Sequence, residues 1–133
     1  MEQLDVLSTR KKGVTRLTRA SKLFKTIIKA IQDRKGEHIV SLDLRKIDEA
    51  VSDFFIICEA TNQPQIRAIA DSIEDAVKKE CGEYPYHVEG KSTMQWVLLD
   101  YVNIVVHVLL PDNRKFYKLE EMWSDASLLE HND

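Results

Sequence analysis

The fold is decided by one short stretch, Phe54-Phe55-Ile56-Ile57-Cys58, which is the longest uninterrupted apolar run in the chain. β-branched and aromatic residues favour extended backbone, and a run that is apolar at every position is typical of a strand buried on both faces. We therefore expect a central strand of a sheet here. The run is far shorter than the roughly 20 apolar residues that cross a bilayer.

Two amphipathic helices are predicted on either side of this strand. The first ends at Lys35-Gly36 and the second at Cys81-Gly82, because glycine tolerates the left-handed turn that follows a helix. Asn62 and Gln65 have the spacing of a capping box at the start of the second helix. The apolar faces comprise Leu23, Phe24, Ile27, Ile28 and Ile31 in the first helix and Ile66, Ile69, Ala70, Ile73, Ala76 and Val77 in the second.

Four further segments have the composition of strands, namely residues 39–44, 86–89, 95–100 and 104–110. A last helix is predicted from Pro111, with Phe116, Tyr117, Leu119, Met122 and Trp123 as its apolar members. The order α-β-β-α-β-β-β-α predicts an α/β fold in which helices pack on one mixed five-stranded sheet. Residues 18–126 then form a single domain, preceded by a flexible basic arm (1–17) and followed by a frayed acidic tail (127–133).

Length and composition support a single soluble domain. The 133 residues suffice for one core, and 44% hydrophobic residues with only 4 Gly and 3 Pro argue against a disordered chain. Two cysteines do not make a disulfide framework, and the acidic start of the chain lacks the apolar core of a secretion signal. We therefore expect a cytoplasmic protein with no part in a membrane.

The net charge of -3 hides a strong asymmetry along the chain. Residues 1–35 carry ten Lys and Arg against three acidic residues, a balance of +7. The remaining residues carry nine basic and nineteen acidic side chains, a balance of -10. A basic arm on an acidic body either reaches toward nucleic acid or neutralises its own domain, and composition does not choose between them.

The chain lacks the sequence signals of a cofactor or metal site. Its four glycines stand apart, so there is no glycine-rich loop that could cradle a phosphate. The four histidines show no pairing at helical spacing, and the two cysteines lie far apart. Cys58 lies in an apolar strand, where a thiol keeps its proton and is inert. We expect no metal and no cofactor.

Four polar residues in or beside strands leave a choice between structure and catalysis. His107 is either a general base or, as we favour, a hydrogen-bonded structural histidine near a sheet edge or a helix. Asp43, Asp53 and Asp100 each lie at or beside a strand end, where a carboxylate can cap the strand or hold an ion. They lack the closely spaced pair of two-metal enzymes, which favours the capping role.

The segment that includes residues 96–101 has the composition of a protein interface. Alternation places Trp96, Leu98 and Asp100 on one face of the sheet, and Tyr101 on the other. If helices cover only one face, an open patch with a Trp and a nearby Tyr remains, and these residues are common anchors of interfaces. If both faces are covered, Trp96 belongs to the core. The pattern leaves both interpretations open.

Several motifs in this order resemble the ribosomal silencing factor family, also called Iojap-like. The resemblance covers about residues 22–126. Any single motif is weak evidence for the family, but the order in which the motifs follow one another is specific. The motifs are Asp53-Phe54-Phe55-Ile56-Ile57-Cys58, Asn62-x-x-Gln65-Ile66-x-Ala68-Ile69-Ala70-Asp71, Val88-Glu89-Gly90, Trp96-Val97-Leu98-Leu99-Asp100, Val105-Val106-His107-Val108 and Arg114-x-Phe116-Tyr117-x-Leu119-Glu120-x-x-Trp123.

The resemblance implies a nucleotidyltransferase-like fold without an established catalytic role. It implies binding to the large ribosomal subunit through ribosomal protein L fourteen, which blocks joining of the small subunit and represses translation under nutrient limitation. It favours Trp96, Leu98, Asp100 and Tyr101 as partner-binding residues. The alternative is a divergent magnesium-dependent nucleotidyltransferase that uses one of the three aspartates.

Two further hypotheses concern partners. The basic arm contacts ribosomal RNA through Arg10, Lys11, Lys12 and Arg16, and the open patch pairs with a second copy of the chain when the protein is free. The chain also departs from the family pattern after Tyr101, where it has Val102-Asn103 in place of Gly-Asp, and before the second helix, where it has Glu59-Ala60-Thr61-Asn62. The first departure restricts the turn and removes a charge.

Overall fold

The computed structural model describes residues 18–19, 21–48, 50, 52–117 and 126–131. They form helices α1 (Lys22–Asp33), α2 (Gln63–Cys81) and α3 (Pro111–Tyr117) and strands β1 (Glu37–Asp43), β2 (Phe54–Glu59), β3 (His87–Glu89), β4 (Trp96–Asp100), β5 (Ile104–Leu109) and β6 (Ser127–Glu130). The predicted arm residues Arg10, Lys11, Lys12 and Arg16, and the predicted helix members Leu119, Met122 and Trp123, lie outside the described residues. No helix in the described part is long and apolar enough to span a bilayer.

The strands form one mixed sheet in the order β3-β4-β5-β2-β1-β6. β2 pairs in parallel with β5, from Phe54 opposite Ile104 to Glu59 opposite Leu109, and the other neighbouring strands are antiparallel. The inner position of β2 confirms the prediction from its apolar run, because both faces of an inner strand pack against protein. The predicted α/β class and mixed sheet are also confirmed.

Helices α1 and α2 cover one face of the sheet and enclose the main core. Phe24 of α1 packs edge-on against Phe54 of β2, with ring centroids 5.1 Å apart. α2 begins where Asn62 Oδ1 accepts from the backbone N–H of Gln65 at 2.9 Å, and it ends at Gly82 with φ of 66°. Both predicted ends of this helix are therefore confirmed. The fully buried side chains of this core include Ile27, Ile31, Ile56, Ile66, Ile69, Ile73, Val77, Val97, Leu99 and Val106.

The opposite face of the sheet carries a smaller apolar cluster. Its buried members are Val40, Leu42, Leu44, Ala50, Ile57 and Leu109. Phe55 and Trp96 lie beside this cluster and are only partly buried. Because α1 and α2 pack on the other face, neither of these helices covers the apolar side chains on this side of β4.

The predicted five-stranded sheet and frayed tail are corrected by a sixth strand, β6. Ser127–Glu130 pairs antiparallel with β1, so that Leu128 lies opposite Leu42. Beyond the strand, the His131 N–H donates to the Ile39 carbonyl at 2.8 Å, and its ring Nε2 lies 2.7 Å from Ser41 Oγ. Backbone and side-chain hydrogen bonds therefore fix this segment, although none of the residues in β6 has a buried side chain.

Candidate functional site

The alternation predicted for β4 is present in the structure. Val97 and Leu99 are fully buried in the core beneath the helices, whereas Trp96 and Leu98 point to the other face and are half-buried. Glu89 of β3 lies directly opposite Leu98 in the antiparallel ladder. We call Trp96, Leu98 and Glu89 the β4 patch, which combines two large apolar side chains with an acid at its rim.

Trp96 is held in place by His107 on the neighbouring strand. The indole Nε1–H donates to His107 Nδ1 at 3.1 Å, and the His107 ring also packs on Phe55 with centroids 4.7 Å apart. His107 is 3% exposed, and its burial lowers the pKa to about 3. The imidazole is therefore neutral at physiological pH, with its proton on Nε2. This agrees with the predicted structural role of His107. Of the two places predicted for it, near a sheet edge or a helix, the sheet edge is wrong, because β5 is an inner strand.

Asp100 and Tyr101 do not join the exposed part of this face. Asp100 is 2% exposed, and its Oδ1 accepts from the Val102 N–H at 2.8 Å, which holds the turn between β4 and β5. Tyr101 is 4% exposed and belongs to the core on the helix side. Burial raises the pKa of the Tyr101 phenol above its ordinary value. Of the four predicted partner-binding residues, the structure brings only Trp96 and Leu98 together at an accessible surface.

The prediction missed the polar edge of this face. His87 of β3 lies opposite Asp100, and its Nε2 is 2.6 Å from Glu89 Oε2. The pairing of the two strands could be expected from the short break between residues 86–89 and 95–100. The cross-strand neighbours depend on the register, which that break does not specify, so Glu89 could not be assigned to the patch from sequence alone.

The three aspartates at strand ends each bind their own part of the chain. Asp43 accepts from Arg45 at 2.9 Å and 2.6 Å, and these hydrogen bonds are the main reason that its pKa is lowered. Asp53 is fully buried and accepts a hydrogen bond from the Asn103 side chain at 2.7 Å. Asp100 accepts from the backbone of the turn between β4 and β5, as described above. Across the described ranges, no group of three or more His, Cys, Asp or Glu side chains is arranged to hold a metal ion.

The turn between β4 and β5 holds Val102 in an unfavourable backbone conformation. Val102 has φ of 74°, a left-handed conformation that a β-branched side chain rarely adopts. The next residue, Asn103, donates to the buried Asp53, so an aspartate there would set two carboxylates against each other. The turn thus accommodates Val102 at a cost, while Asn103 fits its surroundings.

We expect Val102→Gly to raise the free energy of unfolding by up to about 1 kcal/mol, because relief of left-handed strain outweighs the added freedom of the unfolded chain. The melting temperature should rise by roughly 2–4 °C. Calorimetry of both proteins measures the change. A lower melting temperature for the variant would show that the Val102 side chain contributes more by packing than it costs in backbone strain.

Comparison with known proteins agrees with the resemblance in the sequence. The family described as "Ribosomal silencing factor during starvation" matches residues 18–133. The chain is 36% identical over 108 residues to a ribosomal silencing factor of Halalkalibacterium halodurans, covering 81% of this chain and 91% of the relative. It is 38% identical over 106 residues to that of Bacillus subtilis, covering 80% and 88%.

A solved structure shows the same fold. The crystal structure of a Chromobacterium violaceum protein, 33% identical in sequence, superposes with a TM-score of 0.72 and covers 77% of this chain and 84% of its own. This chain belongs to the ribosomal silencing factor family.

Proposed function

We propose that this protein binds the large ribosomal subunit through ribosomal protein L fourteen and blocks joining of the small subunit. Translation is thereby repressed under nutrient limitation. The proposal rests on family membership, since the matched family and relatives are named as ribosomal silencing factors. The observation that carries it in the structure is the half-buried pair Trp96 and Leu98 on the sheet face opposite α1 and α2.

The β4 patch has the properties of an interface centre. A Trp with one polar atom already bonded and a large apolar surface is a common energetic anchor of protein interfaces. The hydrogen bond to His107 fixes the Trp96 ring before a partner arrives, so less side-chain freedom is lost on binding. The inner strand β5 supports β4 along its whole length, which makes the patch rigid.

The negative charge of the domain also makes the β4 patch suitable for a basic partner. Beyond residue 35 the chain carries nineteen acidic and nine basic residues, and Glu89 lies at the rim of the patch. Ribosomal proteins bound to RNA are commonly basic, and opposite charge accelerates encounter and fixes orientation. The acidic body therefore favours a ribosomal protein as the partner of this face.

The mechanism needs no turnover. A specific interface buries about 1,600 Å² in total, which a domain of this size can supply from one face. Once docked where the small subunit must land, the folded domain excludes it by volume alone. Two additional contacts belong to this proposal, namely ribosomal RNA at the basic arm (Arg10, Lys11, Lys12 and Arg16) and a second copy at the β4 patch when the protein is free.

Co-sedimentation with separated ribosomal subunits in moderate salt tests the function. We expect the protein to pellet with large subunits and not with small subunits, and to reduce formation of complete ribosomes in proportion to its occupancy. Pelleting with small subunits, or with neither subunit, would contradict the proposal. Pelleting with large subunits that still join small subunits would contradict the blocking mechanism alone.

A further inference from the structure

Helix α1 and strand β6 border an open cleft of about 760 Å³ at the opposite edge of the sheet from β3. Its floor is apolar and its rim carries lysines. The floor is formed by Phe24, Ile28 and Leu129, and the rim by Lys25, Lys29 and Lys35 together with Asp33. Phe24 and Ile28 are buried and Leu129 is 46% exposed, so the accessible apolar surface of the floor comes from Leu129. The proposed blocking mechanism does not use this cleft.

The rim lysines are available to bind an anion. Within the part of the chain that the structure describes, the side chains of Lys25 and Lys35 make no hydrogen bond or ion pair. Lys29 contacts Asp33 at 3.2 Å, but the two side chains are 75% and 59% exposed, so this pair is weak. Lys22 and Arg34 add two more exposed cations on the same helix and its end.

The sequence around the cleft residues is also rich in positive charge. The first 35 residues have a balance of +7, and the basic arm joins the described chain just before Arg19, which also lines the cleft. Arg19 itself is occupied, because it donates to Ser41 Oγ at 2.9 Å and to the Ser127 carbonyl at 3.2 Å. The free charge of the cleft therefore comes from its lysines.

The combination of a cationic rim and an apolar floor fits an unpaired stretch of RNA. Successive phosphates match a row of lysines, and an unstacked base has a flat apolar surface to place on the floor. An acidic peptide would satisfy the lysines but would leave Leu129 in contact with water. We propose that this cleft binds single-stranded RNA, with phosphates at Lys25, Lys29 and Lys35 and a base against Leu129.

That the bound RNA is ribosomal RNA rests on the proposed function. Binding of single-stranded RNA by the cleft does not. The cleft and the β4 patch lie at opposite ends of the sheet and on opposite faces. One site can therefore bind while the other is free, which allows RNA binding to be measured in the absence of ribosomal subunits.

The test measures binding of a labelled 12-nucleotide single-stranded RNA to the full chain by fluorescence anisotropy at several salt concentrations. The variant is Lys25→Ala/Lys29→Ala, since alanine maintains helix α1. Lys35 is left unchanged so that the cleft variant and its control each lose two lysines. The control, Lys46→Ala/Lys78→Ala, removes two exposed lysines away from the cleft and has the same net charge.

We expect the cleft variant to bind about 10-fold more weakly than the control, with the slope of log affinity against log salt reduced by about 1.4, since each lost single-strand phosphate contact contributes about 0.7. Leu129→Ala should weaken binding without changing that slope. Equal affinities for the cleft variant and the control would overturn the proposal. So would competition by polyglutamate as strong as by RNA of equal charge, which would indicate an acidic peptide as the ligand.

Co-sedimentation of the same proteins with large ribosomal subunits tests the proposed function separately from RNA binding by the cleft. A protein that pellets with large subunits but does not bind RNA overturns the RNA cleft and leaves the proposed function standing. A protein that binds RNA through Lys25 and Lys29 but does not pellet with large subunits overturns the proposed function and leaves the RNA cleft standing. Deletion of residues 1–17 measures the contribution of the arm to RNA affinity. If the cleft variant still binds RNA more weakly than the lysine control in the shortened chain, the proposal is supported.

Discussion

Leu98→Lys is expected to weaken binding to the large ribosomal subunit by about 30-fold or more, which corresponds to about 2 kcal/mol. Leu98 is half-buried beside Trp96 on the β4 patch, so a lysine there would place a charge at the centre of the proposed interface. The ammonium group would lose its contact with water when the partner docks, which is costly, and a basic ribosomal protein would repel it.

The substitution should leave the fold intact. Leu98 faces away from the main core, and Glu89 lies directly opposite it, so the new ammonium group gains a cross-strand partner of opposite charge. We expect the free energy of unfolding to change by about 1 kcal/mol or less. Urea unfolding measures this change on the same preparations that are used for binding.

The matched control is Leu128→Lys. Leu128 is 46% exposed on β6, at the far edge of the sheet, and its substitution adds the same charge to the protein. Titration of each variant against large subunits by co-sedimentation gives the two affinities. Equal weakening in both would show a general effect of charge, and no weakening in either would remove Leu98 from the interface.

Trp96→Ala would be a less decisive variant than Leu98→Lys. The Trp96 indole donates to His107, whose Nε2 is buried and makes no hydrogen bond to any described residue. Loss of the indole would leave both ring nitrogens of His107 without a hydrogen-bond partner among the described residues, and this destabilises the fold. Weaker binding by Trp96→Ala could then result either from loss of the Trp96 contact with the partner or from destabilisation of the sheet.

Local sequence patterns predicted the framework of the fold because each rests on short-range chemistry. The apolar run of β2, the Asn62 cap of α2 and the Gly82 end all follow from residues close in the chain. The alternation along β4 was also predicted. Strand β6 was not, because Leu128 and Leu129 are adjacent and both exposed, so the segment shows no alternation between buried and exposed positions.

The candidate site was predicted only in part because accessibility depends on distant segments. Alternation assigns Trp96 and Tyr101 to opposite faces, but only the packing of α1 and α2 shows which face is covered. The Trp96–His107 hydrogen bond requires β4 and β5 to pair in one register, and the Asp53–Asn103 bond joins residues 50 positions apart. Neither pair has a signal within a short window of sequence.

Tyr101→Ala is expected to lower the free energy of unfolding by about 3–5 kcal/mol, as is usual when a buried aromatic side chain is truncated. The ring is 4% exposed in the main core, so the change leaves a cavity beneath the helices. Against a typical stability of about 5–15 kcal/mol, this leaves a marginal domain. Urea unfolding should show an earlier transition, and any loss of ribosome binding would follow from unfolding.

Tyr101→Phe separates packing from a direct contact with the partner. The Tyr101 hydroxyl is buried and has no hydrogen-bond partner among the described residues, so its removal should change the stability by less than about 1 kcal/mol. We expect this variant to bind large subunits as tightly as the parent. If Tyr101→Phe stayed folded but bound more weakly, the hydroxyl would have to reach the partner, and the core around residue 101 would have to open on docking.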